Sequence, residues 1–302
     1  QQARSYSQVT IMPRKAVALL TLALVSLAFA PTAHADKYDL RLSRLFKQEV
    51  SGTKIVYKLK GDKYFEQLMG DMGSALAPRF LGPGATTGSL GFRIGFNYSI
   101  TNIDENSDAW VNVMSPSGAI GDPAVANPEG ADSYLQTIQF HVRKGLPFSA
   151  EVGGTITKLL QSNLWGVGLE LKWAALEGFR FAPEIAFRGA ISTFQGSKDY
   201  ALLVASGDAI ISKMVGIAGL FKLGPYLGYN FLYTHGSSNV IALPKAGNAV
   251  DQQVFPSAND FRHYIAFGFQ VVATVVNTGF EVAISPADTE MHSFSWRLGV
   301  DF

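Results

Sequence analysis

The sequence predicts an all-β chain that, from residue 88 to residue 302, closes into an antiparallel up-and-down barrel spanning a membrane, with about ten strands and twelve as the alternative. Three observations predict it. Long runs alternate apolar side chains with small or polar ones, which is the period of a strand with one greasy face. The connections alternate short and long, and both long ones fall on the same side. The last run, "SFSWRLGVDF", keeps its alternation up to Phe302, where chain ends are ordinarily frayed and polar.

The strands follow in order. In "GSLGFRIGFNYSI", Leu90, Phe92, Ile94, Phe96, Tyr98 and Ile100 alternate with Gly91, Arg93, Gly95, Asn97 and Ser99. Next come Ile138, Phe140 and Val142, then Phe148, Ala150, Val152 and Ile156, then Trp165, Val167, Leu169, Leu171 and Trp173. The run Phe179, Phe181, Pro183, Ile185, Phe187 and Ile191 gives a fifth strand. The sixth, near 200–213, is the least regular, with Leu203, Ala205, Ala209 and Ile211 on one face and Ser206, Asp208 and Ser212 on the other. Four more centre on Leu227–Tyr233, Ile265–Ala273, Phe280–Ile284 and the closing run. Short turns are read at "KGLP", "AALEG", 214–224 and "VNT", and long loops at 101–134 and 235–260.

Alternation alone also suits a soluble sandwich. The aromatic load favours the membrane: Trp165, Trp173, Phe179, Tyr229, Tyr233, Phe294, Trp296 and Phe302 sit on the greasy parity near strand ends, as in the girdles of membrane barrels. The opposite parity is then a lumen. It carries the cations Arg93, Arg143, Lys172, Arg180, Arg188, Arg262 and Arg297, the acids Glu151, Glu170, Glu184, Asp208 and Glu281, and His141. Interspersed charges of both signs suit either ion pairs that satisfy a narrow interior or a small pore for polar solutes.

Ahead of the barrel, residues 1–11 read as upstream leader, and 12–35 as a signal peptide. Arg14 and Lys15 are its basic region, Val17 to Ala30 its apolar stretch, and Ala33 and Ala35 its small-residue cleavage site. No later stretch reaches the ~18 apolar residues of a spanning helix. Residues 36–87 read as a periplasmic arm packed against the barrel base, or as a plug, with one helix around Tyr64, Phe65, Leu68, Met69 and Met72 and a short strand at "TKIVYKLKG". The chain has no cysteine, so neither a disulfide framework nor thiolate chemistry is available. A net charge of +1 with 16% charged residues carries no nucleic-acid footprint.

The terminal "FSWRLGVDF" resembles the end of Gram-negative outer-membrane barrels, where a final alternating strand ending in Phe is read by the barrel-assembly machinery. That resemblance implies an assembly signal at Trp296, Leu298, Val300 and Phe302, a bacterial outer-membrane location, and lipid and lipopolysaccharide as surroundings. "LAPRFLGPGATTGSLGFRIGF" also resembles uncharacterised outer-membrane proteins of the same bacteria. The expected function is a narrow channel or transport-type barrel. The alternative is a structural or surface-interaction barrel that uses the loops 101–134 and 235–260 for a partner.

Chemistry is expected to be absent. His235 and Ser237 in "YTHGSSN" lie on one side of an extended segment and resemble the outward His–Ser pair of outer-membrane phospholipases, but the residue after the serine is Ser238 where that family has Asn. No group that would orient the histidine is evident. His235, His263 and His292, with Asp260, Asp288 and Glu290 nearby, are candidate rim ligands or protease residues, read as solvated rim residues, with no metal and no cofactor implied.

Overall fold

Strands between Phe92 and Asp301 form one closed antiparallel sheet in the computed structural model, which describes residues 37–51, 54–61, 63–114, 130–179, 181–217, 221–244, 250–287 and 291–302. Ten strands make the wall. They are β3 (Phe92–Asn102), β4 (Tyr134–Leu146), β5 (Ala150–Leu159), β6 (Trp165–Leu176), β7 (Glu184–Gln195), β8 (Tyr200–Ser212), β10 (Phe221–Ser238), β13 (Ala258–Ala273), β14 (Val276–Ile284) and β15 (His292–Asp301). Each pairs with its neighbour, and β15 closes on β3, with Phe294 opposite Ile100 and Leu298 opposite Phe96. Closure removes both sheet edges, which a lipid-facing sheet requires. A short β9 (Val215–Ile217) pairs with the start of β10 on the edge that β8 takes further along, opposite β13.

The period-two signal has the expected consequence. On β6 the burial alternates strictly, with Trp165, Leu169 and Trp173 outside and Glu170 and Lys172 inside. The connections at one end are short, as between β13 and β14 at Thr274–Val275. At the other end lie the long ones, with α2 (Asp108–Met114) in the first and the hairpin β11 (Ile241–Pro244)–β12 (Val250–Gln253) in the second. We call these the turn end and the loop end. Phe302 lies at the turn end, where its backbone pairs both ways with Phe92 and its ring stacks on that of Phe92 at 6.1 Å.

Several boundaries differ from expectation: Leu90 lies ahead of β3, and Phe148, with a positive φ of 63°, lies in the β4–β5 turn. Phe179 and Phe181 belong to the β6–β7 turn, because Pro183 supplies no ladder donor. The loop expected at 235–260 shrinks to 239–257, since β10 and β13 run on past the greasy band and pair from Tyr233 with Phe261 to Gly236 with Ala258. The "VNT" turn moves back to Thr274–Val275, where Thr274 takes a positive φ of 57°.

The larger correction concerns residues 36–87, expected first as a periplasmic arm at the barrel base. The hairpin β1 (Phe46–Ser51)–β2 (Lys54–Leu59) and the 3-10 turn Leu42–Leu45 lie at the loop end instead. Lys37 Nζ and Tyr38 Oη donate to Asp132 at 2.7 and 3.0 Å. Asp39 accepts from Ser162 Oγ and from the Asn163 backbone, and the Leu42 N–H donates to Asp199. Phe46 and Phe65 pack on Phe255, and Tyr38 meets Trp110 of α2 edge-on. The physical reason is cover. Leu42, Leu45, Phe46 and Phe65 are buried, and the loop end supplies apolar surface that short turns cannot.

From there α1 (Tyr64–Leu76) enters the barrel mouth beside β10 and β13, and residues 77–87 continue as non-helical chain, outside any strand ladder, to the turn end. Every residue from Leu68 to Gly84 is buried. The chain thus passes through its own lumen before Phe92 starts the wall.

Candidate functional site

An extended segment inside a barrel cannot pair its backbone with a neighbouring strand, so its amides and carbonyls need side-chain partners. The lumen supplies them from charged residues. Glu281 accepts the N–H groups of Phe80 and Leu81 at 3.1 and 2.7 Å and the Tyr226 hydroxyl at 2.9 Å. Arg297 Nη2 donates to the Phe80 carbonyl at 3.1 Å, and its guanidinium lies 4.1 Å from the Phe80 ring centre. Arg188 Nη2 donates to the Pro78 carbonyl at 2.9 Å. Lys172 Nζ donates to the carbonyls of Pro83 and Ala85 at 2.9 and 2.8 Å. Ser212 Oγ accepts from Gly84 N–H, Glu177 from Thr86 N–H, and Glu151 from Thr87 N–H. Hydrogen bonds to charged groups are the stronger kind, about 1.5–3 kcal/mol each.

The same side chains pair with one another. Arg188 bridges Asp208 at 2.7 Å and Glu170 at 3.3 Å, while Glu170 also pairs with Arg143. Lys172 meets Glu151 at 3.3 Å, and Arg93 meets Asp301 at 2.7 Å. Arg262 pairs with Asp260 at 2.6 Å and with Asp71 of α1 at 3.0 Å. Trp110 Nε1 also donates to Asp71 at 2.8 Å. Glu184 takes the Ser212 hydroxyl.

Of the residues assigned to the lumen from sequence, Arg93, His141, Arg143, Glu151, Glu170, Lys172, Glu184, Arg188, Asp208, Glu281 and Arg297 are buried inside the barrel. Arg262 is partly exposed at the mouth, and Arg180 lies outside the described residues. His141 faces Gly95 across β3, and neither of its ring nitrogens has a hydrogen-bond partner among the described residues. Trp296, Leu298 and Val300 share the outward face of β15. Ala33 and Ala35 lie outside the described residues.

Sequence reasoning missed Tyr226, Glu177, Asp301 and Asp71, and above all the 77–87 backbone that organises them. A signal was present in "APRFLGPGATTG", where prolines and glycines exclude helix and strand alike but fit an extended insert. The wall is shaped for that insert. A β-carbon on inward Gly279 would stand 2.7 Å from Phe80 Cζ, and one on Gly228 would collide with Leu81. Below the insert a cavity of about 760 Å³ opens at the turn end, bordered by Pro83, Thr86, Arg93, Glu177, Lys222 and Asp301.

On the outer surface, His235 Nδ1 and Asn259 Oδ1 are 2.8 Å apart, and Tyr233 Oη donates to the same oxygen at 2.7 Å. Asn259 is therefore the group that orients His235, which the sequence did not reveal because it lies on β13, opposite His235 in the register. Ser237 Oγ makes no hydrogen bond to the imidazole among the described residues. His263 stacks on Tyr229 and meets Phe231 at a tilt, and Asp260 holds Arg262. Asp288 and Glu290 lie outside the described residues, and among the described ones no three His, Asp or Glu converge.

A closed ten-stranded sheet, greasy outside, charged inside and with its long loops at one end, defines an integral outer-membrane β-barrel. Solved outer-membrane proteins are among the structures the chain is similar to. Ail, the attachment invasion locus protein of Yersinia pestis, matches at 11% identity over 71% of this chain and 99% of its own, with a TM-score of 0.26. The KdgM porin matches at 9% identity over 70% and 98%, with a TM-score of 0.28. LpxR from Salmonella typhimurium matches at 11% identity over 69% and 99%, with a TM-score of 0.31. No protein-family model and no curated protein sequence matches the chain.

Proposed function

We propose that this barrel is a self-plugged surface scaffold, closed at rest, whose working face is the loop end built from residues 37–60, α2 and the β11–β12 hairpin. One observation carries the reading: the lumen charges are engaged by the backbone of residues 78–87 rather than left facing an aqueous path. The outer face then meets lipid and lipopolysaccharide, the loops meet a surface partner, and β15 with Phe302 engages the assembly machinery. The reading is non-catalytic, with Tyr233, His235 and Asn259 acting as polar anchors at the aromatic rim.

A second reading, a gated narrow channel, is favoured by the polar character of the plug contacts. Withdrawal of the segment would leave a charged, water-compatible wall rather than an apolar one. Planar-bilayer recording separates the two. The scaffold predicts no unitary currents from the full-length barrel, at any applied voltage the bilayer withstands, and currents only when residues 77–87 are replaced by a Gly–Ser linker. Discrete voltage- or solute-triggered openings of the unmodified protein would establish the channel instead.

A further inference from the structure

The position of residues 37–60 has a consequence for topology. Both ends of the wall, Phe92 and Phe302, pair with each other at the turn end. Yet Lys37, Tyr38, Asp39 and Leu42 are bound to Asp132, Ser162, Asn163 and Asp199, all in loop-end connections. Residues 68–84, buried throughout, make the crossing between the two ends. Outer-membrane barrels keep short turns in the periplasm and long loops outside. We infer that the chain carries its own N-terminal portion, from Lys37 onward, through its barrel to the cell exterior, so that the β1–β2 hairpin is displayed at the surface.

Two features of the interior fit a segment laid down before the wall closes. The hairpin, and the cap it forms with the start of α1, are wider than the single chain that crosses the lumen as the buried part of α1 and the non-helical residues 77–84. Arg297, on the closing strand β15, donates to the Phe80 carbonyl, and Glu281, on the preceding strand, binds the Phe80 and Leu81 amides. The two C-terminal strands therefore close over the insert and hold it by charged contacts. Passage through a finished barrel would require breaking those contacts and drawing the folded cap through.

The inference rests on the loop-end scaffold reading only for the direction of the barrel, and the test keeps the two apart. The chain has no cysteine, so an introduced thiol is unique. Lys47→Cys and, as a second position, Lys58→Cys place a thiol on exposed hairpin sites. Val240→Cys marks the loop end and Val275→Cys the turn end, both exposed. Intact cells are treated with a maleimide on a polyethylene glycol too large for outer-membrane pores, and only variants that retain heat-modifiable migration are scored. The hairpin thiols are expected to react as fully as Val240→Cys, while Val275→Cys reacts only after the outer membrane is broken. Hairpin thiols protected like Val275→Cys overturn the inference even if bilayers remain silent. Labelling of Val275→Cys in place of Val240→Cys overturns it by reversing the barrel.

Discussion

Phe80 has a φ of +63° and is fully buried, an unusual state for a residue with a side chain. Such a backbone costs about 1–3 kcal/mol and persists where its surroundings over-determine it. Here Glu281 takes its N–H, Arg297 takes its carbonyl and covers its ring, and Gly279 leaves the ring its room. Glu281→Ala orphans the amides of Phe80 and Leu81, at about 1–3 kcal/mol for each buried donor. The expected result in detergent micelles is amide exchange at residues 77–87 faster by at least tenfold, with β3 to β6 still protected. Unchanged exchange there would remove Glu281 from the account.

At the scale of elements, the strands were legible because lipid demands an apolar side chain at every second position along the wall. β8 was the least legible for a physical reason. Its inward Leu202, Val204 and Ile210 are apolar because that part of the wall faces the enclosed N-terminal segment rather than charges, so both faces read alike. α2 went unseen because seven residues hold less than two turns, and its burial depends on Tyr38 and Asp71, distant in sequence. The inward charges followed from parity. Their partners did not, because backbone amides and carbonyls leave no signature in residue type.

The loop-end cap adds a pH dependence. The ammonium of Lys37 beside Asp132, with the Tyr38 hydroxyl, holds that carboxyl below its ordinary value. A depressed folded value means that the contact stabilises the cap above the unfolded carboxylate's pKa, about 3.9, and is lost as pH falls through the lower folded value. Asp132 is 38% exposed, so the effect is small, about 0–1 kcal/mol. Amide protection of residues 38–45 is expected to drop below pH 4 more than that of α1, and Asp132→Asn should abolish the difference. A cap equally protected in acid with Asp132 intact would contradict this.

For the whole molecule, ten strands enclose an interior slightly wider than the eight-stranded barrel that side chains alone can fill. The buried part of α1, residues 77–84 and ion-paired side chains fill it, and the turn-end cavity remains where the chain leaves for β3. The central claim is that residues 77–87 lie in the lumen. A β-carbon on Gly84 would stand 3.5 Å from Ala186 Cβ on the inner face of β7, within the separation that a disulfide spans. The decisive measurement is oxidation of the Gly84→Cys/Ala186→Cys protein after assembly in the membrane, read by mass spectrometry of the linked peptides. The account predicts near-complete cross-linking, and none for Gly84→Cys with Phe187→Cys, whose side chain points to lipid. Free thiols at both positions of the first pair, in a barrel that still shows heat-modifiable migration, would contradict it.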